Sequence, residues 1–219
     1  MMTYEQIRQN EKIKTYILSA DNSLKAMGYT EHNFAHVTKT AVTAAYILTE
    51  LGYDEHTVEL AKIAGLMHDI GNLVNRVDHS QSGAIMAFRI LDKLDFDAAD
   101  IAVIVSAIGN HDEGTGVAVN PAAAALILAD KSDVRRSRVR NADFTKFDIH
   151  DRVNYSVEYS DLKISDDLKT IKLSLDVNTE ISSVLNYFEI FLERMIMCNK
   201  AADALGLKFS LCINGQQMI

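Results

Sequence analysis

Cysteine is scarce in this sequence, which contains only Cys198 and Cys212 among its 219 residues. Two thiols are too few for the disulfide framework of a small secreted domain. Neither has a second cysteine or a histidine at the spacing of a zinc-binding motif, which excludes a zinc finger. Each lies in an apolar stretch, so we expect both side chains to be buried and unreactive.

Long apolar runs and an excess of positive charge are also missing. No apolar run reaches about 18 residues, the length that spans a bilayer as a helix, and the first residues lack the features of a secretion signal. A cytoplasmic location is therefore expected. The net charge of −8 argues against binding to nucleic acid or to membrane surfaces. It leaves a phosphorylated substrate open, because bound divalent cations would reverse the local field.

Apolar residues recur at helical spacing through the first 130 residues. We predict helices over residues 3–19, 34–51, 54–67, 80–94, 98–108 and 121–134. Asp54 and Asn120 have the side chains of helix N-caps, and Ser80 could cap the helix that follows a loop at residues 71–78. Pro121, the only proline, fits the first turn of the last of these helices.

The periodicity changes from about residue 151 onward. Residues 153–159 and 171–177 alternate between apolar and polar side chains and predict two strands. A long helix over residues 182–205 and a last strand over residues 208–213 follow. The apolar face predicted for this helix comprises Leu185, Phe188, Leu192, Met195, Ile196 and Ala202.

These patterns predict a mainly α fold with a small α+β module at its C-terminal end. We place the helical domain at residues 1–150 and the strand-strand-helix-strand module at residues 151–219. A chain of this length can bury a core without covalent cross-links. The strands of the module could pair across a homodimer, since a short sheet edge invites a partner.

Histidine and aspartate residues lie at the apolar ends of successive predicted helices. They are His36, His68, Asp69, His79, His111 and Asp130. An ionisable group in such a place needs a partner, because unpaired burial is costly. Taken singly, each fits an ordinary core or surface residue, and Asp130 fits a salt bridge with Lys131. Taken together, the six residues favour a shared metal site over a hydrogen-bonded core network.

The order His, His-Asp, His, His, Asp resembles that of the HD-domain metal-dependent phosphohydrolases over about residues 30–135. The segments at residues 64–71 and 128–131 are similar to the family as well. The resemblance implies an HD-type helical bundle that binds divalent cations. The additional histidines resemble the two-metal branch, such as the HD-type diadenosine tetraphosphate hydrolases. Similarity to the HD-GYP phosphodiesterases is partial, because nothing like a GYP segment follows His111.

The resemblance also implies a mechanism. Asp69 would bridge two cations, with His36, His68 and Asp130 on one and His79 and His111 on the other. These ligands suit Fe, Mn, Co, Ni or Zn, and Mg stays open as well. A metal-bound hydroxide would attack a phosphoester or phosphoanhydride of a nucleotide or other small phosphorylated substrate. Within that scheme His68 and Asp69 are the predicted catalytic residues.

The sequence departs from the family where a phosphate contact is expected. The family often has lysine after the His-Asp-x-Gly segment, whereas this chain has Asn72. We predict substrate contacts from Asn72 itself or from cationic side chains that could replace the lysine, namely Arg76, Lys131, Arg135 and Arg136. For the five Lys and Arg residues within positions 131–140, the sequence favours a solvated helix face over a phosphate clamp.

Other functions stay open at this point. A ligand-sensing HD module would bind metal and nucleotide without turnover, and Asn72 together with the appended module favours it somewhat. A di-iron oxygenase is the third possibility, because some histidine-rich HD proteins resemble that class. Asp112 and Glu113 could orient a metal ligand or act as a base, or they could be plain surface residues.

Overall fold

Helices from the first part of the chain form a bundle, and a four-stranded sheet with one long helix follows. The structure is a computed structural model that describes residues 2–219. The α-helices are α1 (Tyr4–Gln9), α2 (Glu11–Ala26), α3 (Phe34–Glu50), α4 (Glu55–Met67), α5 (His79–Asp92), α6 (Ala98–Gly109), α7 (Pro121–Lys131), α8 (Ile149–Ser156) and α9 (Val184–Ala204). The strands are β1 (Val157–Ile164), β2 (Thr170–Val177), β3 (Lys208–Ile213) and β4 (Gln216–Gln217). Among residues 2–219, no helix combines the length and apolar character required to cross a membrane.

Polar caps start the helices that matter most for the site. The side chain of Asn33 accepts a hydrogen bond from Ala35 N before α3, and Asp54 accepts one from Thr57 N before α4. Asn120 caps α7, with Pro121 in the first turn as predicted. Helix α7 is buried over its whole length and packs against α3, α4 and α6. It is the central helix of the bundle, so a carboxylate near its end lies far from bulk water.

Two glycines let backbones approach closely around the site. A Cβ atom on Gly65 in α4 would lie 2.7 Å from the Cα of Ala41 in α3. A Cβ atom on Gly71, in the 3₁₀ turn Ile70–Leu73, would lie 1.9 Å from the carbonyl oxygen of His79. Real Cβ atoms do not approach other atoms this closely. Both positions therefore require glycine, because a side chain would separate elements that carry the predicted ligands.

The C-terminal sheet has the order β1-β2-β3-β4. Strands β1 and β2 are antiparallel, with Leu162 opposite Leu173, whereas β2 and β3 are parallel, with Leu173 opposite Leu211. Parallel pairing requires a crossover connection, and α9 supplies it. Helix α9 packs on both β3 and α7, so one continuous apolar core extends from the bundle into the sheet. The predicted fold class, mainly α with a small C-terminal α+β module, is confirmed; the division into two domains stays a prediction.

Several predicted helix boundaries were wrong for local reasons. The helix predicted over residues 3–19 is interrupted at Asn10, whose side chain accepts from Lys12 N and Ile13 N and so starts α2. Helix α7 ends at Lys131 rather than at residue 134. Ser80 lies inside α5 rather than at its cap, because the chain turns at Asp78 (φ +55°) and the helix begins at once.

The prediction of a strand over residues 153–159 was wrong for its first four residues. Asp148 accepts a hydrogen bond from Asp151 N and starts α8, which continues to Ser156 before β1 begins. The short strand β4 was not predicted.

The predicted apolar face of α9 was wrong in part. Leu185, Leu192 and Ile196 are exposed, although Met195 and Ala202 are buried as predicted. The helix instead buries a neighbouring stripe, which comprises Tyr187, Phe191, Met195, Cys198 and Ala202. Both stripes are apolar at helical spacing, so the choice between them comes from contact with α7.

The two cysteines are buried as predicted. Burial raises the pKa of Cys198 to about 12, so its thiol stays protonated at neutral pH.

The close contact at Gly65 makes a testable prediction. Gly65→Ala should lower the free energy of unfolding by about 1–3 kcal/mol, because the new methyl group forces α3 and α4 apart. Urea denaturation of the full chain measures this change. The matched control is Gly109→Ala in α6, where the added Cβ would meet Ala84 Cβ at an ordinary 3.6 Å. Equal stability of the Gly65→Ala variant and the wild type would contradict this account of the packing.

Candidate metal centre

The six predicted ligands converge in one buried cluster. His36 lies in the first turn of α3, His68 and Asp69 directly follow α4, and His79 begins α5. His111 comes just after α6, and Asp130 lies one residue before the end of α7. Their exposed fractions lie between 0% for His36 and 9% for Asp130. The bundle therefore brings together groups that are up to 94 positions apart (130 − 36) in the sequence.

One set of three ligand atoms has the spacing expected around a single cation. His36 Nε2 lies 3.3 Å from His68 Nε2 and 3.2 Å from Asp130 Oδ1, and His68 Nε2 lies 3.6 Å from Asp130 Oδ1. Ligand atoms about 2.1 Å from one ion at tetrahedral angles are about 3.4 Å apart. The three side chains thus enclose a space that a transition metal ion would fit.

Asp69 lies between this set and the remaining two histidines. Its Oδ2 is 3.3 Å from His68 Nε2 and 3.6 Å from His36 Nε2, whereas its Oδ1 is 3.5 Å from His79 Nε2. His79 Nε2 is in turn 3.2 Å from His111 Nε2. A second compact group of possible ligands comprises His68, Asp69 and His111. The two carboxylate oxygens face different histidine pairs, as the oxygens of a bridging ligand would.

The other ring nitrogen of each histidine is held by an acceptor. His36 Nδ1 donates to Asp133 Oδ2 at 2.8 Å. The backbone carbonyls of Gly65, Ile108 and Arg76 accept from His68, His111 and His79 at 2.8, 2.6 and 3.1 Å, respectively. A carbonyl oxygen can only accept, so Nδ1 carries the proton and Nε2 of the neutral ring presents a lone pair. Metal-binding histidines are commonly oriented in this way.

The contact between His36 Nε2 and His68 Nε2 requires a positive charge. If both rings were neutral, their Nε2 lone pairs would repel each other at 3.3 Å. A proton on His68 or a bound cation would each remove this repulsion. Asp69 Oδ2 is buried beside them and has no hydrogen-bond partner within residues 2–219. The Nη1 of Arg76 lies 3.2 Å from His79 Nε2 and offers that ring a donor. The close contact that a cation would explain is therefore the one between His36 and His68.

Proton and cation compete for this position. Burial lowers the pKa of His68, but the carboxylates of Asp69 and Asp130 outweigh burial and raise it to about 10. Burial also lowers the pKa of His79 to about 4 and depresses that of His111. The position of His68 thus favours a positive charge, and binding of a metal ion there would displace the proton from His68. Imidazole and carboxylate donors without thiolate fit a divalent transition metal.

The model of the HD domain matches residues 33–143, slightly more than half of the chain. This chain belongs to the HD-domain family. The match confirms the predicted family. HD domains bind divalent metal ions, and membership of the family supports a metal-dependent phosphohydrolase in general. The finer likeness to diadenosine tetraphosphate hydrolases stays a prediction.

Two further proteins are similar to this HD-domain chain. An uncharacterised protein of Methanocaldococcus jannaschii is 25% identical in an alignment of 203 residues, which covers 82% of this chain and 77% of that protein. A crystal structure of a predicted HD superfamily hydrolase from an uncultured Thermotogales bacterium has a TM-score of 0.46 and 24% sequence identity. The match covers 60% of this chain and 73% of that one.

Asn72, where this HD domain departs from the family pattern, holds the carboxylate of Asp69 in position. Its side-chain amide is buried and donates to Asp69 Oδ1 at 2.8 Å and to the Asp69 carbonyl at 3.0 Å. These bonds fix one carboxylate oxygen and leave the other directed at His36 and His68. Contact of Asn72 with a substrate stays a prediction.

Lys131 connects the metal cluster to a second group of charges. Its buried ammonium lies 2.8 Å from Asp130 Oδ2, 3.3 Å from Glu113 Oε2 and 3.8 Å from Asp112 Oδ1. One oxygen of Asp130 thus pairs with Lys131, as one alternative predicted, and the other oxygen faces the histidines. The role of Asp130 as a metal ligand stays a prediction. Asp112 also lies 3.7 Å from His79 Nδ1, so it and Glu113 are not plain surface residues.

The prediction of a solvated helix face at residues 131–140 was wrong. The helix ends at Lys131, and the chain beyond it packs back onto the bundle, with Arg138 only 4% exposed. The remaining arginines form ion pairs as well. Arg135 pairs with Asp133, Arg136 pairs with Glu158, and Arg140 pairs with Asp21. Of the four cations considered for phosphate contact, Arg76 and Lys131 touch the ligand cluster directly.

Sequence reasoning missed Asp133 and His32. Asp133 is buried and holds His36 in place, and it also pairs with Lys39 at 2.8 Å. Burial would raise the pKa of Asp133, but His36, Arg138 and Lys39 hold it well below its usual range. The ring of His32 lies 5.4 Å from that of His36. A metal-binding histidine usually donates its second ring N–H to a carboxylate or a carbonyl. This rule is the one signal that could have indicated a role for Asp133.

Removal of one ligand from the cluster should abolish tight metal binding. His68→Ala should bind divalent transition metal at least about tenfold more weakly than the wild type, because it deletes a donor shared by both groups of ligands. Elemental analysis and metal-induced thermal stabilisation measure this loss. The control is His56→Ala on the same helix, whose ring pairs with Asp100 outside the cluster. Equal metal content in His68→Ala and the control would contradict the assigned ligands.

Proposed function

We propose that this chain is a metal-dependent phosphohydrolase that cleaves a phosphoester or phosphoanhydride bond of a nucleotide or another small phosphorylated compound. The observation that supports this proposal best is the convergence of His36 Nε2, His68 Nε2 and Asp130 Oδ1 within 3.2–3.6 Å of one another, beside an orphaned oxygen of Asp69. A buried cluster of this chemistry suits divalent cations, and family membership makes phosphate-ester hydrolysis the natural reaction.

The residues of the cluster divide between two cation positions in this proposal. His36, His68 and Asp130 would hold one cation, His79 and His111 would hold the other, and Asp69 lies between the two sets. Divalent cations held there would orient a phosphoryl group, stabilise its developing charge and make water a stronger nucleophile.

The surrounding side chains keep this arrangement rigid. Asp133 and the backbone carbonyls fix the planes of the four imidazole rings, so each Nε2 is directed inward. Asn72 fixes one oxygen of Asp69, and Lys131 neutralises one oxygen of Asp130. Ligands that are oriented before binding lose little freedom on binding a cation or reaching the transition state. The chain therefore supplies orientation and charge and does not itself need to provide a nucleophile.

The proposal is tested by phosphate release from metal-loaded protein. Wild type should hydrolyse at least one member of a panel of nucleotides and p-nitrophenyl phosphate in the presence of Mn²⁺, Co²⁺, Fe²⁺ or Zn²⁺. His68→Ala and Asp69→Ala should each lose at least about 100-fold in kcat/KM, the equivalent of roughly 2.7 kcal/mol. His56→Ala should retain wild-type activity.

The outcomes also separate the alternatives left open by the sequence. Nucleotide binding by metal-loaded wild type without any turnover would replace the proposal with a ligand-sensing module. Oxygen consumption by the iron-loaded protein would replace it with a di-iron oxygenase. Hydrolysis at the wild-type rate by both His68→Ala and Asp69→Ala would contradict the proposed site. The predicted homodimer is independent of these results and stays a prediction.

A further inference from the structure

A cavity of about 430 Å³ lies beside the metal cluster and outside the ligand set described above. Its wall comprises the segment after α2, the loop before α5, the start of α8 and the middle of α9. This volume is within the range of about 300–1,000 Å³ that is usual for small-molecule sites. The bundle and the C-terminal module both contribute to its wall. Residues of the C-terminal module therefore lie next to the candidate active site.

Three arginines of this wall connect the cavity to the metal cluster. Arg76 Nη1 lies 3.2 Å from His79 Nε2, and Arg138 Nη1 lies 3.9 Å from Asp133 Oδ2. Arg194, from α9, places Nε 2.7 Å from Glu113 Oε1, and Glu113 in turn contacts Lys131. The side of the cavity next to the cluster therefore carries three arginines, of which Arg138 and Arg194 are each paired with a carboxylate that lies outside the cavity wall.

Aromatic rings support two of these guanidinium groups. The Arg76 guanidinium lies 5.9 Å from the centre of the Tyr29 ring, and that of Arg194 lies 4.6 Å from the centre of the Phe191 ring. Stacking of this kind holds a guanidinium plane in position. Within residues 2–219, the hydrogen bonds and ion pairs of Arg76 use Nη1, and those of Arg194 use Nε. Their other donors remain for a ligand.

The acidic residues of the cavity are engaged elsewhere or lie apart from the arginines. Asp148 caps α8 through Asp151 N. Burial and the nearby Asp148 raise the pKa of Asp151. No ion pair joins either carboxylate to Arg76, Arg138 or Arg194 in the described part of the chain. The arginines are thus not neutralised by the acids that share the cavity with them.

We propose that Arg194 and Arg76 form a subsite for a second phosphate group, so that the preferred substrate carries at least two linked phosphates. This inference rests on the proposed function, because the first phosphate must be held at the cluster of His36, His68 and Asp130. The planar fork of arginine matches the oxygens of phosphate, and a stacked, partly satisfied arginine keeps the donors that such a match needs. Arg194 is a specificity-determining residue in this account.

The test measures binding of non-hydrolysable probes to the metal-loaded full chain by calorimetry. Methylenediphosphonate stands for two linked phosphates, and methylphosphonate stands for one. Wild type should bind the diphosphonate more tightly, and Arg194→Gln should weaken diphosphonate binding at least about tenfold, the effect of losing a charged hydrogen bond. Methylphosphonate binding should change less than about threefold, because the removed bond serves only the second phosphate.

Two further variants test whether weaker binding comes from a general loss of structure. Lys200→Gln removes one positive charge from the exposed side of the same helix and should bind both probes as the wild type does. Arg194→Lys keeps the charge but loses the fork, and its affinity for the diphosphonate should lie between those of wild type and Arg194→Gln.

Unchanged diphosphonate binding in Arg194→Gln would overturn the subsite, and so would an equal loss for both probes. Hydrolysis of p-nitrophenyl phosphate by wild type and Lys200→Gln alike would then leave the proposed function standing. Conversely, diphosphonate binding that depends on Arg194 in a protein without any hydrolytic activity would support the subsite and contradict the proposed function.

Discussion

The close approach of two buried imidazole nitrogens is the constraint on which this structure depends. His36 and His68 each commit the Nδ1 proton to an acceptor behind the ring, so the Nε2 lone pairs face each other across 3.3 Å. In an apolar interior that arrangement is unfavourable by itself. A positive charge between the rings makes it favourable, whether it is a proton on His68 or a divalent cation bound by both nitrogens and Asp130.

The scaffold places this interaction where helices end. Backbone carbonyls at the ends of α4 and α6 are free to accept from His68 and His111 because the last carbonyls of a helix lack intrahelical partners. Gly65 lets α3 and α4 approach until the two rings meet, and Gly71 brings His79 close to Asp69. The buried helix α7 contributes Asp130, near its C-terminal end. Metal affinity and helix packing are therefore linked, since what separates the helices also separates the ligands.

Much of the bundle and of the ligand set could be predicted because the signals are local. Asp54 and Asn120 are N-cap residues that mark where helices begin. A histidine or aspartate at the end of an apolar helix is recognisable because its neighbours are apolar. The exposed face of α9 could not be predicted, because Leu192 and Phe191 lie on competing apolar stripes and only contact with α7 decides between them. The roles of Asp133 and Arg194 were also hidden, since each depends on elements far away in the sequence.

The central claim is that a cation is bound between His36, His68 and Asp130. A crystal structure of the protein grown with Zn²⁺ and measured at the zinc absorption edge tests this claim most directly. The account predicts an anomalous density peak about 2.0–2.2 Å from both Nε2 atoms and from one oxygen of Asp130. Zinc bound stoichiometrically in solution, together with an absence of anomalous density among these three side chains, would contradict it.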